Sequence, residues 1–285
     1  MKFIFALLFL SFTNKSFGQK ENDFSSFKKY SYPVFSFKYT SPDIVNIGCG
    51  TGFLYKVKDK IFLISAYHVF VNMNPFSTPF NGTIPHYEDT LYLKYQKLNS
   101  NDFGIDTIFA NERTLGKIKI FKIDEDIDMY GIELNHIPKD GEFNYINKFI
   151  DSNYFNRIPS EVCFYGYPDD HTNSKNLFYA NEDSIKGYYN NSFNEWDSIT
   201  KDKHPDFPEL NRENLVNKFK GTYFFISKLA SKGFSGSPVF GRYNKRKNRS
   251  VLKFTGLVFG GEHDLLKTWA IQSKIVNEYF KNNLQ

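Results

Sequence analysis

The sequence predicts an all-β protein closed by one C-terminal helix, and three observations carry that reading. Aromatic residues make up 19% of the 285 positions, with 32 Phe and 19 Tyr, and such side chains suit the pleated, half-buried surface of a strand. Short apolar or alternating runs recur along the chain, each ended by Gly, Pro, Asn or Asp, as in barrels and sandwiches. The helical period is clearest at the end, where Ile275, Val276, Tyr279 and Phe280 fall on one face and Ser273 is placed to cap the first turn.

Taken in order, Gly52 to Val57 and Ile61 to Ser65 flank Lys58-Asp59-Lys60 and read as a hairpin. Strand-like runs follow at Thr90 to Leu98, Lys117 to Lys122, Met129 to Leu134, Glu161 to Tyr167 and Tyr223 to Lys228. A last cluster comprises Pro238 to Arg242, Leu252 to Phe259 and Thr268 to Ile271. Asn74 to Glu88, with three prolines, and Asp169 to Lys220, long and polar, read as inserted loops.

Composition narrows the class. With 41% hydrophobic and 24% charged residues the chain is globular rather than disordered, collagenous or membrane-spanning. A formal charge of +5 is too mild and too evenly spread for a nucleic-acid partner. The basic run Lys245 to Arg249 lies between two predicted strands and reads as a solvated hairpin tip. Two Cys exclude a disulfide scaffold; an exported chain could pair Cys49 with Cys163, but buried thiols are the favoured reading. The six His are scattered without a His-Glu-x-x-His pattern, so no metal or other cofactor is expected.

Residues 1–18 read as an export leader: Lys2, the apolar run Phe3 to Phe12, and small residues Ser16 and Gly18 before a cut that leaves Gln19 first. That run is about half of the ~20 residues a membrane helix needs. The expected product is secreted or periplasmic, with no stable membrane anchor.

Three segments carry chemistry. His68 directly follows the apolar run Phe62-Leu63-Ile64-Ser65, a position at a strand end that can face a cleft. Asp128 directly precedes the run Met129 to Leu134 and can orient a His from a neighbouring strand end, with Asp126 as the second choice. Gly233-Phe234-Ser235-Gly236-Ser237-Pro238-Val239 sets a Ser on a tight turn whose N–H groups at Gly233 and Ser235 can converge on one spot. Each segment alone has an ordinary explanation as a surface His, an acidic turn or a Gly/Ser hairpin. In chain order they give His, Asp, Ser.

With these motifs the sequence resembles the trypsin-like (chymotrypsin-fold) serine peptidases, above all the bacterial secreted branch that includes glutamyl endopeptidases. Ser65-Ala66-Tyr67-His68 is similar to the family's Thr-Ala-Ala-His, and Asp128 with its following run to Asp-Leu-Ala-Leu. The Ser235 segment is similar to Gly-Asn-Ser-Gly-Ser-Pro-Val, with further matches at Tyr165-Gly166-Tyr167-Pro168 and Gly256 to Gly261. The resemblance implies two antiparallel six-stranded β-barrels, residues 19–145 with His68 and Asp128 and residues 146–285 with Ser235, and an active site in the cleft between them. It implies a peptide-bond hydrolase in which Ser235 is the nucleophile, His68 the base and then acid, Asp128 the orienting carboxylate, and the Gly233 and Ser235 N–H groups the oxyanion hole. The partner would be a polypeptide substrate.

Three positions depart from the family pattern. Phe234 stands where digestive members carry an Asp that pairs with a freed N-terminus, which argues against activation by that route. Leu229 falls at the floor of the specificity pocket and Val258 where glutamyl endopeptidases carry a His, so a preference for small or apolar side chains is expected rather than Glu. Phe259, Gly260 and Gly261 would offer backbone to an extended substrate. The alternative from another class is a catalytically silent binding or scaffold module that uses its long loops.

Overall fold

The structure is a computed structural model that describes residues 23–41, 44–71, 90–108, 127–134, 136–168, 183–190, 193, 221–245, 249–263 and 265–284. The expected leader, the run Lys117 to Lys122, the loop Asn74 to Glu88, Asp126 and most of the 169–220 insertion lie outside these residues.

The chain forms two antiparallel sheets and a C-terminal helix, the all-β architecture expected. The first sheet is built from β1 (Tyr32–Ser41), β2 (Ile44–Val57), β3 (Lys60–Ser65), β4 (Thr90–Lys97), β5 (Phe103–Ile108), β6 (Tyr130–Glu133) and β7 (Gly141–Glu142), with α1 (Tyr67–Val71) after β3. Its order is β5-β4-β1-β2-β3-β6, and β7 pairs with β4. The second sheet holds β8 (Glu161–Gly166), β9 (Asp183–Gly187), β10 (Tyr189–Asn190), β11 (Tyr223–Ile226), β12 (Pro238–Lys245), β13 (Arg249–Glu262) and β14 (Lys267–Gln272), in the order β10-β11-β14-β13-β12-β8-β9. Helix α2 (Ser273–Asn283) follows. Each sheet therefore has six strands plus one of two residues, β7 or β10.

The β2–β3 hairpin is tighter than its sequence suggests. Lys60 already pairs with Val57, and Lys58 takes the left-handed φ of 54° that closes the turn.

One apolar core runs through both sheets. Phe53 of β2 meets Phe254 of β13 at 5.6 Å between ring centroids, and Phe27, ahead of β1, packs on Phe240 of β12 at 4.2 Å. Helix α2 leaves the second sheet and returns to the first, where Phe280 stacks on Tyr55 of β2 at 3.9 Å. Burying each such ring contributes about 1.5–3 kcal/mol, so these contacts join the two sheets firmly.

The apolar face of α2 is as expected, with Val276, Tyr279 and Phe280 buried. Its cap is not. Ser273 is the first helical residue, and Gln272 holds the cap position without a capping side chain. The Gln272 amide instead donates to the Tyr223 carbonyl at 3.0 Å, because β14 runs straight into the helix and its last residue still serves the sheet.

The insertion expected as loop from 169 to 220 contains β9 and β10, which extend the second sheet at its two edges. Edge strands need no buried face on their outer side, so polar sequences such as Asp183–Gly187 can form them.

Candidate active site

The register of the first sheet brings His68 and Asp128 together. Ser65, the last residue of β3, pairs with Tyr130, the first of β6. Because the strands are antiparallel, the residues after Ser65 and those before Tyr130 leave the sheet at the same end. Helix α1 begins there and carries His68. The Asp128 carboxylate accepts the His68 backbone N–H at 2.9 Å and lies 2.5 Å from its ring Nδ1. Asp128 is almost wholly buried, with 3% of its side chain exposed, while 25% of the His68 side chain remains accessible.

This grip has chemical consequences. Nδ1–H is committed to Asp128, so the neutral ring presents the Nε2 lone pair away from the carboxylate. Burial opposes a charge on His68, but the Asp128 charge and hydrogen bond outweigh it and hold the imidazole pKa above its ordinary value. The same carboxylate faces the second sheet, where burial and then the Asp128 charge push the Tyr223 phenol upward.

Ser235 lies on a turn built from two glycines and one deeply buried ring. Gly233 and Gly236 adopt φ of 91° and 92°, where a side chain would be strained. Phe234 between them is 1% exposed and packs edge-on against Phe164 of β8 at 5.4 Å. A ring in the core at this position anchors the turn from below. The Ser237 N–H donates to the Phe234 carbonyl at 3.0 Å, and the Gly236 N–H to the Val258 carbonyl at 2.7 Å.

The turn is also held from the first sheet. The Thr51 N–H donates to the Ser235 carbonyl at 2.8 Å, and the Thr51 hydroxyl to the Gly233 carbonyl at 2.8 Å. A Cβ on Gly236 would run into the Thr51 carbonyl oxygen and Ser65 Oγ. Ser65 stands three residues before His68, so the Ser235 turn sits against the same strand end that carries the imidazole.

The Ser235 side chain is only partly engaged. Its Oγ donates to the Phe259 carbonyl at 3.4 Å, a long bond, and no hydrogen bond joins it to His68. The N–H groups of Gly233 and Ser235 donate to no other described residue. Both main-chain donors on the Ser235 turn therefore have no described partner and face no competing acceptor among the described residues.

The residues expected to bind substrate divide into two groups. Leu229 is half-buried, and its Cδ1 would lie 2.7 Å from a Cβ on Gly261, so the leucine fills the space beside that glycine. Gly260 borders open space. Gly260 and Gly261 pair with Trp269 and Thr268 of β14 but extend past the start of β12, whose Pro238 pairs with Leu257. Phe259, by contrast, is buried against Tyr223 at 4.8 Å, and Val258 lies in the core of the second sheet with Phe224 and Phe234.

Neither cysteine is in a disulfide; Cys163 is buried, which pushes its thiol up to about 12, and Cys49 is half-buried rather than buried as expected. Among the described residues no group of three or more His, Cys, Asp or Glu is placed to hold a metal ion. Likewise, none of the described helices is long and apolar enough to cross a membrane.

Sequence reasoning gave no role to Thr51, Ser65 or Tyr167, which together fasten the turn. The available signal was a Thr flanked by two glycines, Gly50 and Gly52, in a strand that also carries Gly48.

Comparison with models of known protein families gives no match, and comparison with curated proteins gives none either. Among solved structures, the crystal structure of the active form of the Rv3671c protease from M. tuberculosis is similar with a TM-score of 0.46 at 10% identity, over 91% of this chain and 82% of that one.

Proposed function

We propose that the protein is an exported serine endopeptidase. Ser235 Oγ attacks the peptide carbonyl carbon and passes its proton to His68 Nε2. The acyl-enzyme forms as His68 returns that proton to the leaving amine, and water then reverses the sequence. Asp128 keeps the ring in the tautomer this requires and stabilises its charged form. The Gly233 and Ser235 N–H groups receive the developing negative charge, where losing one donor typically costs about 3 kcal/mol of transition-state stabilisation. The observation that carries the reading is the doubly gripped His68–Asp128 pair at the strand end on which the Ser235 turn rests, with both turn N–H groups open. Catalytic hydrogen bonds are often long before substrate arrives, which accommodates the present Ser235 contact.

Leu229 beside Gly261 supports a shallow, uncharged pocket, hence small or apolar side chains before the cut, and the free edge at Gly260 and Gly261 supports strand addition by an extended substrate. Export rests on the leader pattern of residues 1–18; a mature protein starting at Gln19 is the expected product. The test is cleavage of a mixed peptide library by the wild-type protein and Ser235→Ala. Cuts after small or apolar residues, absent in the variant, are expected; equal cutting by both proteins overturns the nucleophile assignment.

A catalytically silent binding module is the second reading, favoured by one feature: Ser235 Oγ bonds to the Phe259 carbonyl rather than to His68. It predicts no cleavage of any library member.

A further inference from the structure

We infer that Thr51 is a positioning residue for the oxyanion turn, a role that rests on the peptidase reading above and adds a device from the opposite sheet to it. Thr51 is fully buried in β2, and every polar group it has is used across or within the sheets. Its N–H holds the Ser235 carbonyl at 2.8 Å, and its own carbonyl accepts Ser65 Oγ–H at 2.6 Å. Its hydroxyl donates to the Gly233 carbonyl at 2.8 Å and accepts the Tyr167 N–H at 3.1 Å.

The direction of the hydroxyl bond is fixed by chemistry. The Tyr167 N–H can only donate, so it takes a lone pair of Oγ1. The single hydroxyl hydrogen is then left for the Gly233 carbonyl, which can only accept. A β-branched side chain has few rotamers in a strand, and the buried, hydrogen-bonded environment leaves it this one.

What the hydroxyl adds follows from which peptide units it fixes. The backbone N–H of any residue at position 51 would hold the Ser235 carbonyl. Only a side chain with a donor holds the Gly233 carbonyl as well. Gly233 has φ of 91° and lacks a Cβ, so the peptide units on either side of it are those freest to rotate. With the carbonyls of 233 and 235 both drawn toward Thr51, the peptide between Phe234 and Ser235 is fixed at both ends, and with it the direction of the Ser235 N–H. The close approach that makes this possible is built in: a Cβ on Gly166 would press on Phe234, Ser237 Oγ and Thr51 Oγ1.

The experiment compares wild type, Thr51→Val and Thr51→Ser. Val keeps the shape and removes the hydroxyl; Ser restores it without the methyl. The readout is phosphonylation of Ser235 by a fluorophosphonate probe, as limiting rate and half-saturating probe concentration, over a range of pH. Thr51→Val is expected to lower the limiting rate by about 10- to 100-fold, less than or comparable to loss of a whole donor, with half-saturation and the pH midpoint set by His68 unchanged. Thr51→Ser is expected to recover to within about threefold of wild type. A merely structural role would not separate limiting rate from half-saturation, nor be rescued by Ser. Should Thr51→Val fail to fold, Thr51→Ala carries the same comparison against Thr51→Ser. Labelling of Thr51→Val at the wild-type rate, or an equal loss in Val and Ser, overturns the role of Thr51 and leaves the peptidase reading standing. A wild-type protein that does not label overturns the peptidase reading itself, and this inference with it.

Discussion

The two halves of the candidate site are built in different ways. His68 and Asp128 meet through side chains, within one sheet, by a register that any antiparallel β3–β6 pair with the same ends would give. The Ser235 turn is held almost wholly through backbone groups, and its partners come from both sheets: Val258 and Ser237 on one side, Thr51 on the other. The first half is a hydrogen-bonded pair whose chemistry follows from two side chains. The second is a shape that survives only while the sheets stay docked, because Thr51 and Gly233 are 182 positions apart in the chain. Substitutions in the first half should therefore change rates and pH dependence with little effect on folding, and those that disturb the backbone of the Ser235 turn should change both rates and folding.

The largest expected effect falls on Ser235, the proposed nucleophile. Ser235→Ala should reduce peptide cleavage by roughly 10⁶-fold while leaving the thermal midpoint near wild type, since the Oγ makes only one long hydrogen bond. Calorimetry beside a cleavage assay checks both parts, and a large drop in melting temperature would show that the hydroxyl is structural.

Asp128→Asn comes next. Its amide can present the wrong partner to Nδ1, and loss on the order of 10⁴ in kcat is expected from the altered tautomer. The pH profile sharpens the comparison. His68 acts as a base only when neutral, and its pKa is raised, so in the wild type activity should be lost as pH falls through a midpoint above about 6.5. Removing the carboxylate charge leaves burial, which lowers the imidazole pKa, so the residual activity of the variant should keep its acid limb to lower pH. An unchanged midpoint would mean that Asp128 does not set the His68 titration.

Gly236→Ala tests the second half. The added methyl meets the Thr51 carbonyl and Ser65 Oγ at a φ that disfavours any side chain. Destabilisation of about 3–5 kcal/mol is expected, with activity falling in parallel. Urea unfolding measures it, and a loss of activity at wild-type stability would mean that the turn can shift without disturbing the docked sheets.

The same contrast explains how much was legible in the sequence. The meeting of His68 and Asp128 could be read because each adjoins an apolar run whose strand places it at an end. The Ser235 turn could be read from its glycines, where φ values of 91° and 92° demand them. Thr51 was not read, because its flanking glycines mark only a close approach, and nothing local points to partners at 167, 233 and 235. Strand β5 was missed for a different reason. Its Phe103 and Ile105 are exposed at 57% and 41%, while the Asp106 side chain is nearly buried, so its hydrophobic pattern is the reverse of what alternation assumes. Strand β1 carries Pro33, which argues against a strand in sequence, yet it pairs with both β2 and β4.

The central claim is that His68, Asp128 and Ser235 act on one bound carbonyl. The most direct measurement is a crystal structure of the protein after reaction with a fluorophosphonate. The account predicts phosphorus bonded to Ser235 Oγ, one phosphoryl oxygen about 3 Å from the N–H groups of both Gly233 and Ser235, and His68 Nε2 turned toward the adduct with Asp128 still on Nδ1. An unmodified Ser235 that keeps its contact to the Phe259 carbonyl, or an adduct whose oxygen points away from those two N–H groups, would contradict it.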